Sequence, residues 1–296
     1  MPDPEITALR AQIAARPRAT EIPQMRSDYD ARGLAFGLPS DVTVEPVTAN
    51  GVKAEWTSTP SADASSVILF LHGGGYVIGS LDSHRHLVAE AGRATGTRTL
   101  AIDYRMAPEY PFPAAVEDTV AAYKFLLSSG IKAGKIAIAG DSAGGGLVVG
   151  GILAIRDAGL PLPGCAWCIS PWVDMEALGN SFTDRAATDP NVQAQTIKFM
   201  AQTYLAGADP RSVYAAPHYG DLRGLPPMLI QVGACETLLD DSIQLARAAG
   251  IADVPVDLQI WPEMIHVWHT YHTVLSAGKR AIEAGGAFVK SHLARI

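Results

Sequence analysis

Between residues 42 and 261, short apolar runs alternate with longer stretches whose apolar positions recur every three or four residues, the periods of strand and helix. The first two runs, 42–48 and 52–57, flank Asn50-Gly51, a pair that adopts the backbone angles of a tight hairpin turn readily. Six more strand patterns follow, at 67–71, 99–104, 135–139, 165–170, 228–232 and 256–261. Helical patterns at 85–95, 114–128, 144–158 and 242–249 fall between them. A hairpin followed by six strands in such alternation predicts an α/β fold, with an eight-stranded, mostly parallel sheet flanked by helices.

Two segments fall outside this rhythm. Residues 1–40 are helical in tone and rich in Ala and Arg. Residues 176–217 carry no strand pattern but a helical stretch at 192–205, inserted between two core strands. The expected organisation is therefore N-terminal cap helices at 1–40, a first core part at 41–175, an inserted cap at 176–217 and a second core part at 218–296. Such a cap covers the carboxyl ends of the strands, where open α/β sheets bind their ligands.

Composition narrows the class without naming a chemistry. The chain has 296 residues, 48% apolar and 18% charged, with a formal net charge of −7, which fits a mildly acidic globular protein with a sizeable core. No basic stripe argues for nucleic acid, and no apolar run reaches the ~18 residues of a membrane span. Met1-Pro2-Asp3-Pro4-Glu5 lacks a basic, then apolar leader, so the expected location is the cytoplasm. An odd number of cysteines, three, agrees with a reducing compartment. Cys165 and Cys168 are three apart on a predicted strand and so face opposite sides, as small core residues rather than a redox pair.

The chemistry enters with two glycine-rich motifs. Gly140-Asp141-Ser142-Ala143-Gly144 is a weak signal alone in a chain with 28 glycines. Here, however, a strand pattern precedes it and a helical one follows, the context of a sharp turn that exposes a nucleophilic serine. His72-Gly73-Gly74-Gly75 supplies a loop whose amides can face that serine. A serine hydroxyl needs a base and a group to orient the base. Of eight histidines, His266 lies five residues beyond the last strand and is the expected base; His269 is the alternative. The acid belongs beyond the preceding strand, where Glu236, Asp240 and Asp241 are available. The two aspartates abut a helical pattern and can cap it, which leaves Glu236 as the first choice. The order serine, acid, histidine suits an α/β-hydrolase. Oxyanion donors are expected from the amides of Gly73, Gly74 and Ala143. Asp141 is expected to brace loops, and Met25, Phe36, Phe199, Met200 and Tyr204 are candidate pocket residues in the cap.

These residues resemble the bacterial hormone-sensitive-lipase-like carboxylesterases, also called family IV esterases. The likeness runs through most of the core: His72 to Gly75, the block from Asp103 to Ala115, Gly140 to Gly145, Ser170-Pro171-Trp172-Val173-Asp174, and Met264-Ile265-His266-Val267-Trp268. It implies a Ser142–Glu236–His266 triad, an oxyanion hole from the glycine loop and Ala143, a helical cap, and hydrolysis of short-chain acyl esters without cofactor or metal. Many members carry Asp where Glu236 stands, and a related subgroup carries Glu. Members often dimerise by pairing their last core strands, here 256–261. Two other readings share the fold: a ligand-binding protein that has lost the base, against which His266 stands, and an amidase or peptidase using the same triad.

Overall fold

A computed structural model of the protein describes residues 3–293. Two helices, α1 (Pro4–Ala14) and α2 (Ile22–Leu34), precede the hairpin of β1 (Thr43–Ala49) and β2 (Val52–Ser58). The alternating part follows as β3 (Asp63–Leu71), α3 (Leu81–Thr95), β4 (Thr97–Ile102), α4 (Ala114–Ser128), β5 (Ile136–Asp141), α5 (Ala143–Asp157) and β6 (Cys165–Ile169). Next come α6 (Ser181–Asp184) and α7 (Ala194–Leu205), with no strand among residues 176–217. The chain closes with β7 (Met228–Gly233), α8 (Leu239–Ile251), β8 (Val256–Trp261) and α9 (Ser276–Leu293).

The eight strands form one sheet in the order β1-β2-β4-β3-β5-β6-β7-β8. Pairings of β1 with β2 and of β2 with β4 are antiparallel, and the remaining five are parallel. The central strands are continuous apolar runs because both of their faces are covered: β5, β6 and β7 are buried at every position. Alternate residues serve opposite faces. Leu69, Leu71 and Ile138 join the larger core with Val116, Leu147, Ile152 and Leu245 of α4, α5 and α8. Ile68, Phe70, Ala137 and Ala139 join the smaller one with Leu87 and Val88 of α3 and Ile282 and Val289 of α9. Cys168 belongs to the first core and Cys165 to the second, as alternation along a strand requires.

Several boundaries move. β3 begins at Asp63, with a register irregularity between Asp63 and Val67 that the apolar pattern does not record. α3 begins at Leu81 because Ser80 caps it, its hydroxyl accepting from the Ser83 amide. α8 begins at Leu239, so Asp240 and Asp241 lie inside its first turn.

The chain passes from β3 outward to β4, then returns to β5 on the other side of β3. This reversal leaves a crevice at the carboxyl ends of β3 and β5. His72-Gly73-Gly74-Gly75 leaves β3 and Ser142 leaves β5, so both glycine motifs meet at that crevice. Around it, α1 packs Ile6, Leu9 and Ile13 against Met264, Ile265 and Trp268 beyond β8, while α7 adds Ile197, Met200 and Tyr204 to the larger core.

Candidate active site

Ser142 sits between β5 and α5 with φ 54° and ψ −120°, a left-handed backbone that a non-glycine residue adopts only under strain. Tertiary bonds hold it there. Its amide donates to the Ile169 carbonyl at 2.8 Å, and its own carbonyl accepts from the Trp172 amide at 2.9 Å. Gly144 is needed for close approach: a methyl group there would collide with the carbonyls of Leu71 and His72. The turn brings Ser142 to the surface of a buried floor, half-exposed between the buried Asp141 and Ala143.

His266 lies in the loop after β8. Its Nε2 is 2.9 Å from Ser142 Oγ and its Nδ1 is 3.3 Å from Glu236 Oε1. Glu236 as a carboxylate can only accept, so Nδ1 carries the proton and Nε2 accepts from the hydroxyl. Glu236, in the turn after β7, is fully buried. Its second oxygen accepts from the Gly233 amide at 3.0 Å and the Ser170 hydroxyl at 2.9 Å. Burial raises the Glu236 carboxyl above its ordinary range, opposed by the hydrogen bond and charge of His266. For His266, burial works against the charged form, but the hydrogen bond and charge of Glu236, with Asp189 and Asp141 behind, outweigh it. The imidazole is held above the usual histidine value.

The alternatives go elsewhere. His269 lies in a short turn, Trp268–Tyr271, before α9, and its Nε2 is 3.0 Å from Gln231 Oε1 in the core. Burial depresses it to about 3. Asp241 accepts from the amides of Val173 and Asp174, and Asp240 from that of Ser181, so both are tied up in loop structure.

The glycine loop requires one correction. The Gly73 amide, expected to face the oxyanion, donates instead to Asp141 Oδ1 at 3.1 Å, with His84 Nε2 at 3.3 Å beside it. His72 braces the same loop, its Nδ1 2.7 Å from the Gly73 carbonyl and its ring stacked on Tyr104 at 4.1 Å. Among the described residues, the amides of Gly74 and Gly75 donate to no protein acceptor. Ala143 opens α5, where an amide has no intrahelical acceptor. Three amides at the crevice are thus uncommitted: Gly74, Gly75 and Ala143.

The candidate pocket residues divide. Met200 lies against Gly75, where an added methyl group would collide with its sulfur. Tyr204, one turn later, stacks on Tyr76 at 3.8 Å. Phe199 faces solvent, 41% exposed, and Met25 packs half-buried on the larger core. Phe36 goes elsewhere: it stacks on His86 at 4.2 Å and lines a cavity of about 230 Å³ that includes none of Ser142, Glu236 or His266. Helical tone alone does not say which side of α2 the following chain takes. A cavity of about 550 Å³ between β1, β2 and the start of α3 also lies apart from Ser142. Its Lys53 and Arg85 are already paired, with Asp103 and with Glu55 and Asp82.

Ser170 is the residue that sequence reasoning missed. Its hydroxyl donates to Glu236 and accepts from the Val267 amide at 3.2 Å, linking the loops of the acid and the histidine. Its presence in a family-like block was the only signal.

Residues 68–270 match the model of a family described as having the alpha/beta hydrolase fold. The chain is 47% identical to an acetyl-hydrolase of Streptomyces hygroscopicus over 293 residues, 98% of each chain. It superposes on the crystal structure of an esterase from the bacterial hormone-sensitive lipase family with a TM-score of 0.96, at 46% identity and 99% coverage of both chains. On the structure of EstE5 soaked with p-nitrophenyl butyrate the score is 0.95, at 47% identity, covering 99% of this chain and all of that one. With the Ser142 turn, the glycine loop and the imidazole gathered at one crevice, the chain belongs to the alpha/beta hydrolase fold family, among its hormone-sensitive-lipase-like carboxylic ester hydrolases.

Proposed function

We propose that this protein hydrolyses short-chain acyl esters through an acyl-enzyme on Ser142, with His266 as base and Glu236 as its orienting acid. The observation that carries this is the chain of contacts from Ser142 Oγ through both ring nitrogens of His266 to Glu236. In the first half-reaction, Ser142 Oγ attacks the ester carbonyl carbon as its proton passes to His266 Nε2. The tetrahedral oxyanion is held by the amides of Gly74, Gly75 and Ala143, each such donor lowering the barrier by ~3 kcal/mol. The imidazolium then gives its proton to the departing alkoxide. In the second half, His266 takes a proton from water, hydroxide adds to the acyl carbon, and collapse returns the proton to Ser142 and releases the acid. Glu236 holds the tautomer and balances the imidazolium. No step calls on a metal or cofactor.

Of the described residues, 3–40 and 176–217 form the cap. Met200 and Tyr204, packed on the glycine loop, support a short acyl pocket, as do an acetyl-hydrolase and a butyrate-soaked structure among the relatives. A second copy pairs along β8, which has only β7 beside it and exposes Ile260 to 45%. No helix of the described residues is long and apolar enough to cross a membrane. We place the protein in the cytoplasm, supported by its free Cys165, Cys168 and Cys235.

The test is Ser142→Ala with p-nitrophenyl acetate, butyrate and octanoate. The wild-type protein should favour the short esters and the variant should bind them without turnover. Turnover at the wild-type rate by the variant, or best activity on octanoate, would refute the reading.

A further inference from the structure

Of the hydrogen bonds between the inserted segment and the triad loops, two lie at the peptide plane that follows a triad residue. Asp189 Oδ2 accepts from the Thr237 amide at 2.9 Å, fixing the plane between Glu236 and Thr237. The Thr237 hydroxyl lies 3.3 Å from the same oxygen. Asn191 Nδ2 donates to the carbonyl of His266 at 3.2 Å, fixing the plane between His266 and Val267. The amide of that second plane is the one that Ser170 accepts. Asp189 and Asn191 are themselves joined, since Asp189 Oδ1 accepts from the amides of Asn191 and Val192 at 2.8 and 3.1 Å.

Asp189 is 2% exposed and, among the described residues, forms no ion pair. Three amides and a hydroxyl satisfy both of its oxygens. The nearby group that gains a positive charge in the proposed cycle is His266, which feels the Asp189 carboxylate.

Resting on that triad reading, we infer that Asp189 and Asn191 are positioning residues. Together they clamp Glu236 and His266 from the inserted segment, and the Asp189 carboxylate stabilises the imidazolium that forms during turnover. The clamp makes correct geometry at Ser142 depend on the inserted segment being seated. The groups that face His266 are Glu236 from the turn after β7, Asp189 from the inserted segment, Asp141 from the end of β5 and His269 from its own loop. His269 is neutral, and each of the three carboxylates favours the charged imidazole. Glu236 in turn faces His266, Asp189 and Asp241.

The experiment compares Asp189→Asn and Asn191→Ala with the wild-type protein, reading kcat, KM and the pH profile of kcat/KM on p-nitrophenyl acetate. Asp189→Asn removes the charge and sets a donor against the Thr237 amide. Its kcat should fall about tenfold or more at little-changed KM, since small misplacements of reacting groups cost up to about a hundredfold. The acidic limb of its profile should move to lower pH. Asn191→Ala removes one bond and no charge, so its kcat should fall several-fold with the acidic limb in place. It also decides the matter if Asp189→Asn does not fold. Wild-type kcat in Asn191→Ala, or an unmoved acidic limb in a folded Asp189→Asn, overturns the clamp and leaves the triad reading intact. Turnover in Ser142→Ala overturns the triad reading itself.

Discussion

Ser170 Oγ donates to Glu236 Oε2 at 2.9 Å while accepting from the Val267 amide at 3.2 Å, so one hydroxyl fixes both the acid and the loop of its histidine. Ser170 directly follows β6, and among the described residues no residue of β6 itself hydrogen-bonds that carboxylate. Removing the hydroxyl leaves Oε2 with only the Gly233 amide. A hydrogen bond to a buried charged group contributes about 1.5–3 kcal/mol, so Ser170→Ala should lower kcat by roughly ten- to a hundredfold. Steady-state kinetics on p-nitrophenyl acetate check this, with KM as the control. A KM rise at constant kcat would assign Ser170 to substrate binding instead.

In the proposed triad, Glu236 sets the pH dependence. The base must be neutral to take a proton, and His266 is held above the ordinary histidine value. Activity should therefore fall as pH drops through a value above 6.5, the reference for this group. In Glu236→Gln the carboxylate no longer favours the imidazolium, so the acidic limb should shift to lower pH. The maximal rate should fall by about 10²–10⁴-fold because the tautomer is no longer fixed. An acidic limb that stays in place would detach it from His266.

The Gly73 amide gives a third test. It is committed to Asp141, which burial pushes toward protonation but which His84, His72 and His266 keep below the ordinary aspartate value. Asp141→Ala frees that amide and removes the brace on the loop bearing Gly74 and Gly75. We expect kcat to fall about tenfold, less than the 10²–10³ typical of a lost oxyanion donor, together with a lower melting temperature. An unchanged or higher kcat would return Gly73 to the oxyanion hole.

How much could be read beforehand follows from how local each signal is. The strands were legible because β5, β6 and β7 are buried on both faces and so appear as unbroken apolar runs. The insertion of β4 between β2 and β3 was not, since strand order depends on a crossover that no periodicity records. Ser142 and His266 stand out because each closely follows a strand end, within a motif or a distinctive loop. Ser170 does not, since its role exists only where β6 lies beside β7 and the loop beyond β8. The different engagement of Gly73 has the same origin: three consecutive glycines look alike until a carboxylate from β5 claims one amide. Phe36 shows the limit for caps, where an apolar residue after a helix has several cores to join.

On the proposed reading, Met200 sets the size of the acyl pocket. It sits on α7 with its sulfur against Gly75, one of the three uncommitted amides, so its side chain walls the space beside the proposed oxyanion. Tyr204, stacked on Tyr76, supports it from the next turn. Shortening Met200 to Ala opens that wall and should admit longer acyl chains. Each methylene that gains burial is worth about 0.8 kcal/mol, so two or three account for a rise of about tenfold or more in the octanoate-to-acetate ratio of kcat/KM. The same change removes a buried side chain at a cost of about 2–5 kcal/mol, so the melting temperature should fall as well. The ratio separates the two roles: a lower melting temperature with an unchanged chain-length profile would make Met200 plain core and move the acyl pocket to another wall of the crevice.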